Sequence, residues 1–138
     1  MKKNISDYLL FYLLFLFFFA VFFLYHKHLV GNDSTISEWL INYTGGFTKR
    51  GIIGQICIWF AENLNLNLRL IIFFFQTIIL FIYFSLLFLF FNKINVNKIM
   101  LFSIFSPIFI LYPIAEIEVL ARKELFIFSF LLTYLLIK

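Results

Sequence analysis

The stretch "LIIFFFQTIILFIYFSLLFLFF", residues 70–91, decides the fold class. It holds twenty-two residues with no charge, and its polar interruptions are Gln76, Thr77 and Ser85. As a helix it would be about 33 Å long, enough to cross a hydrocarbon core about 30 Å thick. The rest of the chain agrees. Of its 138 residues, 64% are hydrophobic and 13% charged, and mean hydropathy is +1.02. Soluble domains are about 45–50% apolar and about a quarter charged, and a globule this small lacks the interior to hide the excess. The expected class is an all-α integral membrane protein.

Working outward, Tyr8 to Tyr25 is an earlier charge-free run of eighteen residues. Lys2 and Lys3 precede it, as they would a signal peptide. The run exceeds the usual signal core of roughly 7–15 residues, however, and no A-x-A cleavage site follows. It reads as a retained transmembrane anchor.

Beyond residue 91, Asn92 to Lys98 is a short loop carrying Lys93 and Lys98. A third run starts at Ile99 and contains Pro107 and Pro113, which should kink it. It ends at Ile114, or at Ala121 if Glu116 and Glu118 lie inside the membrane. The fourth run, Leu125 to Ile137, has thirteen residues, about 20 Å of helix and too short to span alone. The expected architecture is one polytopic transmembrane domain over 1–138, with segments near 8–25, 70–91, 99–121 and 125–138. The short last segment points to the front of a longer protein.

Orientation follows from the cations. With the N-terminus inside, Lys2, Lys3, Lys93, Lys98 and Lys138 are cytoplasmic. Lys27, Lys49, Arg50, Arg69, Arg122 and Lys123 fall on the other side. Density next to span ends outweighs totals over long loops, and both short inner segments are lysine-rich. The N-terminus is expected in the cytoplasm and the chain in a bacterial inner membrane.

Composition also limits function. The net charge of +4 suits anionic lipid headgroups, and with no soluble basic face nucleic acid is not an expected partner. The single Cys57 excludes an internal disulfide and a cysteine metal cluster. His26 and His28, flanking Lys27, read as a polar membrane edge, so no metal or other cofactor is expected. The excess of Phe, Ile, Asn and Lys reads as coding bias in an AT-rich genome.

The connection 26–69 carries the one distinctive stretch, "YTGGFTKRGIIG" at 43–54, which holds four of the five glycines. Upstream, Thr35 and Glu38 have capping-box spacing, and Ile36, Trp39, Leu40 and Tyr43 recur at helical spacing. Gly45 and Gly46 should stop that helix. A second helix, Ile52 to Ala61, should show Ile53, Ile56, Cys57 and Phe60 on one face. The pair would lie along the membrane surface as two short interfacial helices. Glycines and a helix start preceded by Lys49 and Arg50 could hold a phosphate. A tight turn with two anchoring cations is the alternative.

Two segments, "EWLINYTGGFTKRGIIG" and "EIEVLARKELFIF", together resemble poorly characterised polytopic bacterial membrane proteins associated with surface-polysaccharide synthesis. The first is similar to their motif D-W-x-x-N-Y-x-G-G-F-x-x-R-G-x-x-G, and the second to a later R-K-E signature. Glu38 stands where Asp is usual, Thr48 where an apolar residue is common and Lys49 where Arg is common. The resemblance implies a glycosyltransferase or O-antigen-polymerase-like function using polyprenyl-phosphate-linked sugars. Such chemistry needs a carboxylate to deprotonate an acceptor hydroxyl and cations to stabilise a departing phosphate.

Asp33 and Glu38 are then the candidate catalytic acids, and Gly45, Gly46, Lys49 and Arg50 the candidate phosphate site. Glu116, Glu118, Arg122, Lys123 and Glu124 form a second charged cluster. Glu118 and Arg122, four apart, could instead simply pair along a helix edge. A non-enzymatic membrane protein, such as an assembly partner or transporter fragment, is the competing functional class.

Overall fold

The computed structural model of the chain describes residues 2–30, 33–47, 51–94 and 120–138, with side chains omitted at 2–5 and 33–35. All regular structure among the described residues is helical. The helices are α1 (Lys2–Val30), α2 (Asp33–Leu40), α3 (Gly51–Leu64), α4 (Leu68–Lys93) and α5 (Glu124–Ile137).

The central element is α4. Asn67, in extended backbone, starts it by accepting the Arg69 amide on its side-chain oxygen at 3.0 Å. This satisfies one of the free donors every helix start leaves. Against α4 lies α1, running antiparallel. At one end Ser6 Oγ donates to Asn92 Oδ1 at 2.8 Å. Midway the Phe17 ring meets Phe81 and Phe84, with centroids 5.8 and 6.3 Å apart. At the other end His28 Nε2 lies 2.9 Å from Gln76 Oε1.

On another side of α4 lies α5, and the two finish together, with Lys93 Nζ donating to the Leu136 carbonyl at 2.8 Å. The buried seam between the three helices includes Leu13, Ala20 and Leu24, then Ile72, Leu80, Phe84 and Leu87, then Leu125 and Leu132.

Outward, the helices stay apolar. On α1, Phe11, Phe15, Phe18 and Phe22 recur every three or four residues and are 65–70% exposed. An exposed apolar stripe of that length is unfavourable in water and at home in lipid. Ser6–Val30 and Leu68–Lys93, 25 and 26 residues long, are long and apolar enough to cross a membrane. They match the runs expected at 8–25 and 70–91 and extend beyond both ends of each. The fourth run is the 14-residue α5. The third run, 99–121, lies outside the described residues except for Leu120 and Ala121, which sit in a turn.

Two short helices do occupy the first connection, with details that correct the sequence reading. Because α2 already begins at Asp33, Thr35 is inside its first turn and is not its cap. It also ends at Leu40, well before the glycines. Asn42 then takes over the local polar bonding, accepting from the Thr44 amide at 2.9 Å. The turn closes with the Gly46 amide on the Tyr43 carbonyl at 3.1 Å, and Gly46 has φ +121, a conformation that favours glycine. In α3, Gly54 and Cys57 are buried and Phe60 is half-buried, whereas Ile56, expected on the same face, is exposed.

The tightest steric demand falls on Gly54. A Cβ there would lie 2.1 Å from the Ile41 carbonyl oxygen and 2.8 Å from that of Trp39. Only glycine lets α3 approach the end of α2 so closely. Gly54→Ala should therefore lower stability by about 1–3 kcal/mol, the usual cost of overpacking. Gly45→Ala, with nothing within 4 Å of its added Cβ, should leave the melting temperature in detergent nearly unchanged. Equal effects of the two would contradict this packing.

Candidate functional site

The site is built where α2 meets the turn that leads into α5. Trp39, fully buried, sends its indole nitrogen to the Ala121 carbonyl at 3.0 Å. Its ring also lies 6.0 Å from that of Phe126. Ala121 has φ +56, a left-handed conformation that costs a residue with a Cβ roughly 1–2 kcal/mol. The indole bond satisfies the carbonyl that this conformation presents. Arg122 and Lys123 follow, and their carbonyls accept the Leu125 and Phe126 amides at 3.1 Å each, opening α5.

Beside this contact, Glu38 Oε2 lies 3.6 Å from Arg122 Nε, with side-chain exposures of 14% and 39%. Lys123 is buried in the same turn. From α3, Cys57 comes close enough to feel its charge. Burial pushes the Cys57 thiol pKa up, and the Lys123 ammonium pulls partly against that. The arrangement sets a carboxylate next to a guanidinium: one group able to take a proton from a hydroxyl, the other able to receive phosphate charge.

The two segments that carry the sequence resemblance thus meet in space, through Glu38 and Trp39 from the first and Ala121 and Arg122 from the second. The ion pair seen for Arg122 joins it to Glu38, across the fold. Asp33 opens α2 on the same short helix. Gly45 and Gly46 are exposed in their turn, away from close neighbours. Lys49, Arg50, Glu116 and Glu118 lie outside the described residues. Glu124 begins α5.

Sequence reasoning missed the structural weight of Trp39 and Gly54. Helical spacing alone places the indole with Ile36, Leu40 and Tyr43 on one apolar side and gives no sign of its hydrogen bond. For Gly54, the spacing Gly51-x-x-Gly54-x-x-Cys57, with all three residues buried, is the small-residue signal of close helix approach. A second polar contact, His28 with Gln76, sits between α1 and α4. Gln76 is fully buried, and its amide nitrogen has no hydrogen-bond partner among the described residues. Among the described residues no three His, Cys, Asp or Glu side chains gather as they would around a metal.

The chain matches no family model, no curated protein and no solved structure.

Two outcomes follow from this geometry. Trp39→Phe keeps the ring but orphans the Ala121 carbonyl, and should cost about 1–2 kcal/mol in unfolding experiments. Cys57 is raised in the folded state, so its contribution to stability is complete below the ordinary thiol pKa. It should decline as pH rises through the raised value. Maleimide labelling at neutral pH should accordingly be slow in the folded protein and fast after denaturation; equal rates would contradict the burial.

Proposed function

We propose that the chain is part of a membrane enzyme that transfers sugar from, or polymerises glycan on, a polyprenyl-phosphate carrier. In this reading the protein sits in a bacterial inner membrane with its N-terminus in the cytoplasm. Four membrane segments place the α2–α3 connection at the outer face. Glu38, with Asp33 nearby in sequence, takes the proton of the acceptor hydroxyl. Gly45, Gly46, Lys49 and Arg50 receive carrier phosphate, and the Arg122–Glu124 turn orients Glu38.

The observation that supports it is the meeting of the two resembling segments, through the 3.0 Å Trp39–Ala121 hydrogen bond and the 3.6 Å Glu38–Arg122 ion pair. A charged pair placed on an apolar bundle is expensive and tends to mark function. The second reading, a non-enzymatic assembly partner or transporter part, draws on the exposed stripe from Phe11 to Phe22, a face that another membrane protein could cover.

The test is sugar incorporation from a polyprenyl-linked donor by membranes carrying the protein. Glu38→Gln should reduce the rate by about 100-fold or more, the usual contribution of a general base, with membrane insertion unchanged. An unaltered rate would remove Glu38 from catalysis. Absence of incorporation even by the unaltered protein would favour the non-enzymatic class.

A further inference from the structure

Between the N-terminal part of α1 and the C-terminal part of α4 runs a half-open groove of about 350 Å³. Its floor is Leu13 and Phe84, which are buried. Leu10 and Leu14 form one wall and Phe81 and Leu89 the other, all four 37–56% exposed. Apart from Ser85, every residue that lines it is Leu or Phe. Water gains no partners in such a space, and left unfilled the groove forfeits dispersion contacts along its lining. A hydrocarbon chain lying in it is touched from three sides. On the outward stripe from Phe11 to Phe22 the same chain would be touched from one.

The groove has the length of one leaflet. Its upper end is polar, marked by the Ser6–Asn92 hydrogen bond and by Lys93. Its deepest lining residues, Phe17 and Phe81, meet edge to face with ring centroids 5.8 Å apart. Phe81 lies about 16 Å of helix from Asn92, and half of a hydrocarbon core about 30 Å thick is about 15 Å. This depth is measured from the polar end of the helix pair itself.

That end is also cationic. Lys3 lies about two turns before Leu10 and about three before Leu14, so helical register puts it on the face of α1 that bears the groove. Lys2, Lys93 and Lys138 are at the same end of the three helices, and the acid found there among the described residues is Asp7. Positive charge is in excess where the groove meets the polar edge. Asn92 adds a neutral donor, since Ser6 engages its side-chain oxygen and its amide nitrogen donates only.

We propose that this groove is a binding site for one anionic phospholipid. An acyl chain lies along Leu10–Phe17 and Phe81–Leu89, and the phosphate sits at the Lys3–Asn92 end, where lysine ammonium and the Asn92 amide meet its oxygens. Asp7 lowers the preference for negative charge without cancelling it. The site is separate from the Glu38–Arg122 pair and holds whether or not the chain acts on glycan. In the orientation proposed above it opens to the cytoplasmic leaflet, which carries the negative surface potential.

The test is native mass spectrometry of the whole chain released from nanodiscs of equimolar dioleoyl phosphatidylglycerol and dioleoyl phosphatidylcholine. One lipid should stay bound per chain, with phosphatidylglycerol favoured about 10-fold or more. Lys3→Gln should reduce that preference about 5-fold, the share of one lysine at an anionic surface, and Asp7→Asn should raise it. Ser85→Phe fills the groove from its α4 wall and should abolish retention with helicity unchanged; Leu14→Trp fills it from α1 and carries the comparison if Ser85→Phe fails to fold. Retention of no lipid, retention of the two lipids in their bulk ratio, or undiminished retention in the filled variants overturns the proposal. So does a preference that Lys3→Gln leaves unchanged.

Discussion

The hydrogen bond from the Trp39 indole to the Ala121 carbonyl ties the first connection of the chain to the entry of its last helix. Without it, α2 would hold only its short apolar side against α4, and eight residues are too few for a helix to persist alone. With it, the indole is buried completely, Phe126 packs against it, and Ala121 is held in a left-handed conformation. That conformation turns the chain into α5 and places Arg122 beside Glu38. The close approach of α3 at Gly54 abuts the same carbonyl region of α2, at Trp39 and Ile41. One turn of helix thus receives contacts from two directions, and the charged pair inherits its geometry from them.

The second constraint is solvent. Apolar side chains cover the outside of α1, α4 and α5 as fully as the seam between them. In such a setting polar groups gain by pairing with one another, and several of the described ones do. Ser6 meets Asn92, His28 meets Gln76, and Thr77 and Thr133 donate back to carbonyls four residues earlier. Each contact spares a polar atom the cost of facing hydrocarbon. Glu38 and Arg122 follow the same rule at higher stakes because both carry charge.

The long helices were legible in the sequence because charge-free runs of eighteen and twenty-two residues leave few alternatives. The existence of two short helices in the first connection was also legible, from apolar spacing and glycine punctuation. Their boundaries were less so. Thr35 and Glu38 imitate a capping box, but the helix starts earlier and Glu38 has a tertiary partner instead. The glycines misled in a similar way. Gly45 and Gly46 drew attention by adjacency, whereas Gly54, one turn after Gly51 in α3, meets a far tighter steric limit than either. Pairings such as Glu38 with Arg122 join residues far apart in the chain. Local spacing offers Glu118, which lies outside the described residues, and gives no sign of Glu38; it is the packing of Trp39 against the 120–124 turn that brings Glu38 to Arg122. The resemblance singled out both segments without indicating that they touch.

The central claim is that contact, and a charge-exchange cycle tests it most directly. Glu38→Arg and Arg122→Glu should each destabilise the protein in lipid nanodiscs by placing like charges together. The double exchange should recover most of the loss, with a coupling of about 1 kcal/mol or more, near the upper end for partly exposed pairs. Strictly additive losses, with no recovery in the double variant, would mean that the two segments do not meet.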